Sequence, residues 1–228
     1  MNIVITGCSR GIGLELVKLF SQQHNVYCLS RNIDPIEKYK NEVGDSNRIK
    51  FLQFDFESLN TIELNSFLTI ENGIDVLINN AGYLVNETFG QISESNLRRM
   101  YEVNVLGPFR LMQIVLPLLR KDNSHVISIG SMGGVQGSVK FPGLSAYSSS
   151  KGGMSILTEC LAEEYKESNI KFNCLALGAV QTEMLNEAFP GYEASVSAKE
   201  MAQYIYSFAL NGSRFINGKV ISVSNSTP

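Results

Sequence analysis

The chain has 228 residues, 44% hydrophobic and 18% charged, with a net charge of −3. A domain of this length buries roughly 70–75% of the surface its unfolded chain exposes, and the composition excludes a disordered or fibrous protein. Nineteen Lys and Arg against 22 Asp and Glu provide no broad basic surface, which argues against nucleic acid as a partner. No apolar run approaches the ~20 residues needed to span a bilayer, so no membrane partner is expected either.

In chain order, Asn2–Thr6 is a β-branched run read as a strand, with no basic or apolar leader ahead of it, so a cytosolic (cytoplasmic) protein is expected. Further strands are expected at Asn25–Leu29, Arg48–Phe54, Ile74–Asn79, Ser124–Ile129, Ile170–Ala176 and Lys219–Val223. Helices are expected near 11–23, 34–43, 57–69, 93–119, 146–168 and 197–209. The strands are continuous apolar runs, not alternating ones, which suits strands covered on both faces by helices. Such a β-α repeat predicts an α/β fold with a doubly wound, parallel, seven-stranded sheet. No linker, composition shift or internal repeat divides the chain, so a single domain over 1–228 is expected. The stretches 131–145 and 183–197 are the least regular, and both follow strands, where open α/β sheets hold their ligands. Cys8, Cys28, Cys160 and Cys174 show no CxxC spacing and are expected as small, buried, reduced side chains. His24 and His125 have no second ligand nearby, so no metal site is expected.

The first strand runs into Thr6-Gly7-Cys8-Ser9-Arg10-Gly11-Ile12-Gly13 and then a helical pattern. Glycines in a strand-to-helix turn let backbone approach a ligand, and the free N–H groups of the helix start favour a phosphate. The G-x-x-x-G-x-G spacing differs from G-x-G-x-x-G, and no Gly-Lys-Ser/Thr follows, which excludes an ATP-type loop. A dinucleotide site preferring NAD places an acidic residue at the end of the second strand; here Ser30 stands, followed by Arg31. Arg10 and Arg31 together can grip a 2′-phosphate, so NADP(H) is favoured over NAD(H), although two solvated arginines are the plainer reading.

The most specific feature is Tyr147-Ser148-Ser149-Ser150-Lys151 at a helix start. The i, i+4 spacing puts phenol and ammonium on one face, and a nearby cation brings a Tyr pKa down towards working pH. With the glycine turn, Asp55 after the third strand, Asn79-Asn80-Ala81-Gly82, Asn104, Ser131 and Gly178-Ala179-Val180-Gln181-Thr182, the chain resembles a short-chain dehydrogenase/reductase over nearly its whole length. It is similar to the compact single-domain kind with a Rossmann fold, which includes the 3-oxoacyl-carrier-protein reductases.

That resemblance implies a carbonyl or alcohol as small-molecule substrate and a role for each motif residue. Tyr147 becomes the catalytic acid/base and Ser131 the donor that positions the carbonyl. Lys151 lowers the Tyr147 pKa and binds the nicotinamide ribose, while Asn104 holds a water linking Lys151 to solvent. The cofactor is implied to lie along Gly7, Ser9, Arg10, Gly11, Ile12 and Gly13, then Ser30 and Arg31, with Asp55 and Phe56 at the adenine. Asn80, Ala81 and Gly82 line the adenosine side, and Gly178, Val180 and Thr182 the carboxamide and phosphates. Several of these residues also have a purely structural reading: Asp55 as a helix cap, Asn104 at a kink before Gly107-Pro108, and Ser131 as one loop serine beside Ser128 and Ser138. A non-catalytic dinucleotide sensor is the alternative from a different class. Ser131 lies sixteen residues before Tyr147, Leu177 stands where relatives carry proline, and the 183–197 lid is short. Apolar residues beyond one stripe in 93–119 (Leu111, Met112, Ile114, Val115, Leu116, Leu118, Leu119) and in 146–168 predict a homodimer or homotetramer.

Overall fold

The computed structural model describes residues 1–44 and 47–225. Seven strands form one sheet in the order β3-β2-β1-β4-β5-β6-β7: β1 Asn2–Thr6, β2 Asn25–Ser30, β3 Ile49–Gln53, β4 Val76–Asn79, β5 Ser124–Ser131, β6 Ile170–Leu177 and β7 Lys219–Val223. Every pairing is parallel. Eight α-helices accompany them among the described residues: α1 Gly11–Phe20, α2 Asp34–Val43, α3 Thr61–Leu68, α4 Glu94–Tyr101, α5 Gly107–Val115, α6 Ser145–Glu164, α7 Glu183–Ala188 and α8 Ala198–Asn211.

Side chains alternate along each strand, so continuous apolar runs feed two cores. Ile3, Ile5, Val76 and Ile78 join Leu16, Val17 and Phe20 of α1 and Ile205 and Phe208 of α8 on one face. Val4 and Leu77 join Leu64 of α3, Leu111 and Val115 of α5 and Met154 of α6 on the other. This is the doubly wound parallel sheet that the β-α repeat predicts. The strand order reverses between β1 and β4, and the carboxyl ends of these two strands open the crevice where such sheets bind ligands.

Three expectations need correction. The periodicity predicts one helix over 93–119, whereas α4 passes through a π turn at Glu102–Leu106 into α5, and a 3-10 turn follows at Leu116–Leu118. Gly107 follows the π turn and lets the Phe56 ring pack closely: a Cβ on it would lie 2.4 Å from that ring. The irregular stretch 183–197 contains α7, capped by the Thr182 hydroxyl accepting from the Leu185 N–H. Of the four free cysteines, Cys8, Cys28 and Cys174 are buried as expected, but Cys160 is exposed.

His125, in β5, is 2% exposed and lies against α8. Its Nε2 accepts from Asn173 Nδ2 at 3.0 Å, and the amide is fixed because its Oδ1 accepts from the Lys219 N–H. Nδ1 therefore carries the proton and donates to the Ala209 carbonyl at 3.3 Å. Burial holds this imidazole neutral and depresses its pKa to about 4. The unfolded chain takes up a proton below about 6.5 that the fold refuses, so stability present above that pH is lost as pH falls towards 4. Urea denaturation should show His125 costing up to about 3 kcal/mol between pH 7 and pH 4. His125→Gln should flatten that part of the profile.

Candidate functional site

The site is built where β1 and β4 end. Thr6 Oγ1 accepts from the backbone N–H groups of Asn80 and Ala81 at 3.1 and 3.0 Å. Asn80 Nδ2 donates to the carbonyls of Thr6 and Gly7, both at 3.0 Å. Gly7 adopts φ +72°, and a Cβ there would lie 2.7 Å from Ala81 Cα. A Cβ on Gly13 would lie 2.0 Å from the Gly7 carbonyl oxygen. The glycines thus permit β1, the turn and α1 to fold back tightly, and Asn80 ties the turn to β4. Arg10 precedes α1 with no side-chain cap, and the first turn of α1 has no acidic residue. Its free N–H groups face the cleft with no partner of the kind that ends a helix elsewhere in this chain.

Beyond the turn, Ser30 is buried and Arg31 exposed at the end of β2. Asp55 accepts from the Glu57 N–H at 3.1 Å and caps a 3-10 turn, so the capping reading of this carboxylate holds. Phe56 packs edge-on to Phe54 and against Gly107. Arg10 does not stand free: Nη1 and Nη2 both meet the carboxylate of Glu187 on α7, the second contact at 3.0 Å.

At the other end, Gly133 and Gly134 let the turn after β5 lie on α6, where a Cβ on Gly134 would be 2.7 Å from the Gly152 N. This sets Ser131 beside the Tyr147 phenol, close enough to lower its pKa, while its Oγ accepts from the Gly133 N–H at 3.2 Å. The rival serines are committed elsewhere: Ser128 is buried in the sheet, and Ser138 donates to the Met132 and Val135 carbonyls. Lys151 is 5% exposed, and its Nζ donates to the Ile129 carbonyl at 2.8 Å while lying 5.9 Å from the Tyr147 ring centre. Burial lowers the Lys151 pKa to about 8. Burial also pushes Tyr147 up to about 12, which the Ser131 hydrogen bond only partly offsets. The i, i+4 spacing predicts a phenol brought down by the lysine; in the structure the Lys151 ammonium turns towards the Ile129 carbonyl, and burial acts on the phenol in the opposite direction. Tyr147 is therefore protonated across the physiological range.

Asn104 lies in the π turn, 1% exposed. Its Oδ1 accepts from the Tyr83 N–H at 2.9 Å, while Nδ2 donates to the Tyr83 carbonyl at 2.9 Å and to Ser150 Oγ at 3.0 Å. The side chain thus pins the segment after β4 to α6. Beside it, a Cβ on Gly82 would be 3.5 Å from Lys151 Nζ and 3.6 Å from Asn104 Oδ1.

One cleft of about 660 Å³ joins these parts, from Arg10 and Arg31 past Gly11, Ile12 and Asn80 to Ser131, Tyr147 and Lys151. Gly178, Val180 and Thr182 line it too. The wall at the Tyr147 end is apolar, with Phe141, Leu144, Met184 and Phe189 from the two loops expected to flank the substrate and Leu84, which sequence reasoning missed. The wall's signal was the apolar residues spaced through the two loops already singled out. Glu187 was missed as well, and only the helix capped by Thr182 places it. Among the described residues no group of three or more His, Cys, Asp or Glu is arranged to hold a metal ion, and no helix is long and apolar enough to cross a membrane.

A profile of the short chain dehydrogenase family matches residues 1–193. The chain belongs to the short-chain dehydrogenase/reductase family. It is 28% identical to the 3-oxoacyl-[acyl-carrier-protein] reductase FabG of Chlamydia trachomatis, covering 96% of this chain and 94% of that protein. It is 35% identical to an uncharacterized oxidoreductase of Staphylococcus saprophyticus over 89% of this chain and 80% of the relative. Among solved structures, a short chain dehydrogenase of Shigella flexneri complexed with NADP has the same fold, with a TM-score of 0.87 at 23% identity, covering 97% of this chain and 95% of that one. ElxO with NADP bound scores 0.83 at 26% identity, covering 97% and 96%.

In this short-chain dehydrogenase/reductase the glycine turn cannot accept side chains. Gly13→Ala must displace the Gly7 carbonyl and the Asn80 amide, and should cost about 1–3 kcal/mol in urea denaturation. Gly90→Ala, at an exposed position with open space around the glycine, should change stability by less than about 0.5 kcal/mol.

Proposed function

We propose that the protein is a cytosolic, NADP(H)-dependent oxidoreductase acting between a carbonyl and the corresponding alcohol, with Tyr147 as the acid/base. The observation that carries this reading is a single cleft with Ser131, Tyr147 and Lys151 at one end and an uncapped helix start in a glycine turn at the other. The cradle fits a dinucleotide: Gly7 and Gly13 leave no room for a Cβ, the first turn of α1 contributes no acidic residue of its own, and no carboxylate ends β2. Gly7, Ser9, Gly11, Ile12 and Gly13 would hold the phosphates, with Ser30, Arg10 and Arg31 at the 2′-phosphate. Asp55, Phe56, Asn80, Ala81 and Gly82 would flank the adenosine, and Gly178, Val180 and Thr182 the nicotinamide side. When bound, the nicotinamide supplies or accepts a hydride at the carbonyl carbon.

The chain's own groups do the rest. The Ser131 hydroxyl donates to the substrate oxygen and fixes its place beside the phenol. Tyr147, kept protonated by burial, gives its proton to that oxygen as negative charge develops there. The Lys151 ammonium, anchored on the Ile129 carbonyl, binds ribose hydroxyls and stabilises the phenolate left behind. Asn104, through its bonds to Tyr83 and Ser150, holds the wall against which Lys151 rests. The wall around the reacting end is apolar, and Lys151 is buried beside it, so the substrate is a neutral, largely apolar carbonyl compound. A 3-oxoacyl thioester is the second reading, favoured by the likeness to a 3-oxoacyl-[acyl-carrier-protein] reductase.

NADPH consumption against aromatic ketones, diketones and 3-oxoacyl thioesters tests this directly. Turnover should fall by at least about 10²-fold in Tyr147→Phe. Undiminished turnover in that variant would overturn the assigned acid. NADPH bound without turnover of any substrate would favour the sensor.

The homo-oligomer reading rests on different residues from those that suggested it. Leu111, Met112, Val115 and Leu119 are core, and Ile114, Leu116 and Leu118 pack partly against it. The exposed apolar side chains are Tyr101, Leu106 and Phe109, from the α4–α5 segment, and Ile156 on α6, at 60% exposure. Helix faces of this kind pair with copies of themselves. Sedimentation at micromolar concentration should give a dimer or tetramer, and Phe109→Glu should shift it towards monomer.

A further inference from the structure

The 181–197 segment is closed at its base and pinned at its tip. At the base, the Gln181 N–H donates to the Val196 carbonyl at 2.8 Å, and the Gln181 side chain accepts from the Ala194 N–H at 2.7 Å. At the tip, Asn86 Nδ2 donates to the Ala188 carbonyl at 3.0 Å, and Glu187 takes both terminal nitrogens of Arg10. A second carboxylate, Glu183, sits over the glycine turn, its Oε2 3.4 Å from where a Cβ on Gly11 would be. The guanidinium best placed for an anion at the mouth of the cleft is therefore already paired. The helix that pairs it also carries Met184 to the reacting end.

We propose that Glu187 governs the choice between the two nicotinamide dinucleotides by competing with a 2′-phosphate for Arg10, so that the 2′-phosphorylated form unlatches α7 from the glycine turn as it binds. This rests on the NADP(H) reading above. A phosphate and a carboxylate cannot share the same fork of the guanidinium without repulsion, and the 2′-hydroxyl of the other dinucleotide has no charge with which to displace Glu187. The side chain thus weakens the phosphorylated cofactor and leaves the other unaffected. It also couples the nucleotide's ribose end to the helix that walls the substrate.

Glu187→Gln removes the charge at a solvent-exposed site and keeps the shape. Calorimetric titration should show this variant binding 2′,5′-ADP about threefold more tightly or better than wild type, with 5′-AMP changed less than about 1.5-fold, the scale expected for an exposed ion pair. Hydrogen exchange in 183–188 of the wild type should rise with 2′,5′-ADP and not with 5′-AMP. Equal shifts for both nucleotides, no shift, or weaker 2′,5′-ADP binding in the variant would overturn the competition; the last would make Glu187 a residue that positions Arg10. A wild-type protein that binds neither NADPH nor NADH would overturn the oxidoreductase reading, and the latch with it. Normal binding of both by the wild type, with a ratio unmoved by Glu187→Gln, would overturn the latch alone.

Discussion

One amide holds the two halves of the cleft in register. Asn80 Nδ2 donates to the last carbonyl of β1 and to the first of the glycine turn, while Thr6 Oγ1 accepts from two successive N–H groups after β4. These four bonds lie where the strand order reverses, at the point where neighbouring crossovers leave the sheet in opposite directions and no helix covers its edge. Without them the turn would have carbonyls with no partner beside an open crevice, and unpaired backbone groups out of water are costly. The glycine turn, the segment through Gly82 and the lysine against which Gly82 rests are all set by this crosslink.

A second constraint follows from burying an ammonium. Lys151 is almost wholly out of water, and its direct hydrogen-bond acceptor is the carbonyl of Ile129 at the end of β5. A cation so placed loses hydration that a neutral acceptor restores only in part, which is why its pKa falls. The same desolvation raises the phenol. The two groups are thereby moved in opposite directions, the ammonium down and the phenol up, each towards its neutral form. The fold thus achieves through burial what a surface pair could not.

Much of this was legible in the chain. The strands were readable because a parallel sheet covered on both faces needs unbroken apolar runs, and Val4-Ile5 or Val126-Ile127 feed one core each by alternation alone. The glycine turn and the Tyr147–Lys151 spacing were readable because the backbone approach and the helical pitch each restrict residue type at fixed offsets. What was not legible depends on contacts distant in sequence. The break at 102–106 is followed by the packing of the Phe56 ring on Gly107, more than fifty positions away, and no periodicity records either. Arg10 looked free because its partner lies 177 positions on, in a six-residue helix whose pattern is too short to register. The burial of the phenol and the lysine was not legible either, because spacing shows proximity and not how much water is lost.

The π turn at Glu102–Leu106 carries one implication for how the chain can vary. A π turn holds one more residue than the α-helical turn it replaces, so α4 and α5 are out of phase by about 100° compared with a continuous helix. Asn104, at the centre of that turn, reaches Tyr83 and Ser150. Loss of one residue beside it would return the segment to regular helical pitch and turn the amide relative to both partners. In this region a change in length, not in side chain, is the mutation the protein can least accommodate, and it would leave a better helix in a worse enzyme.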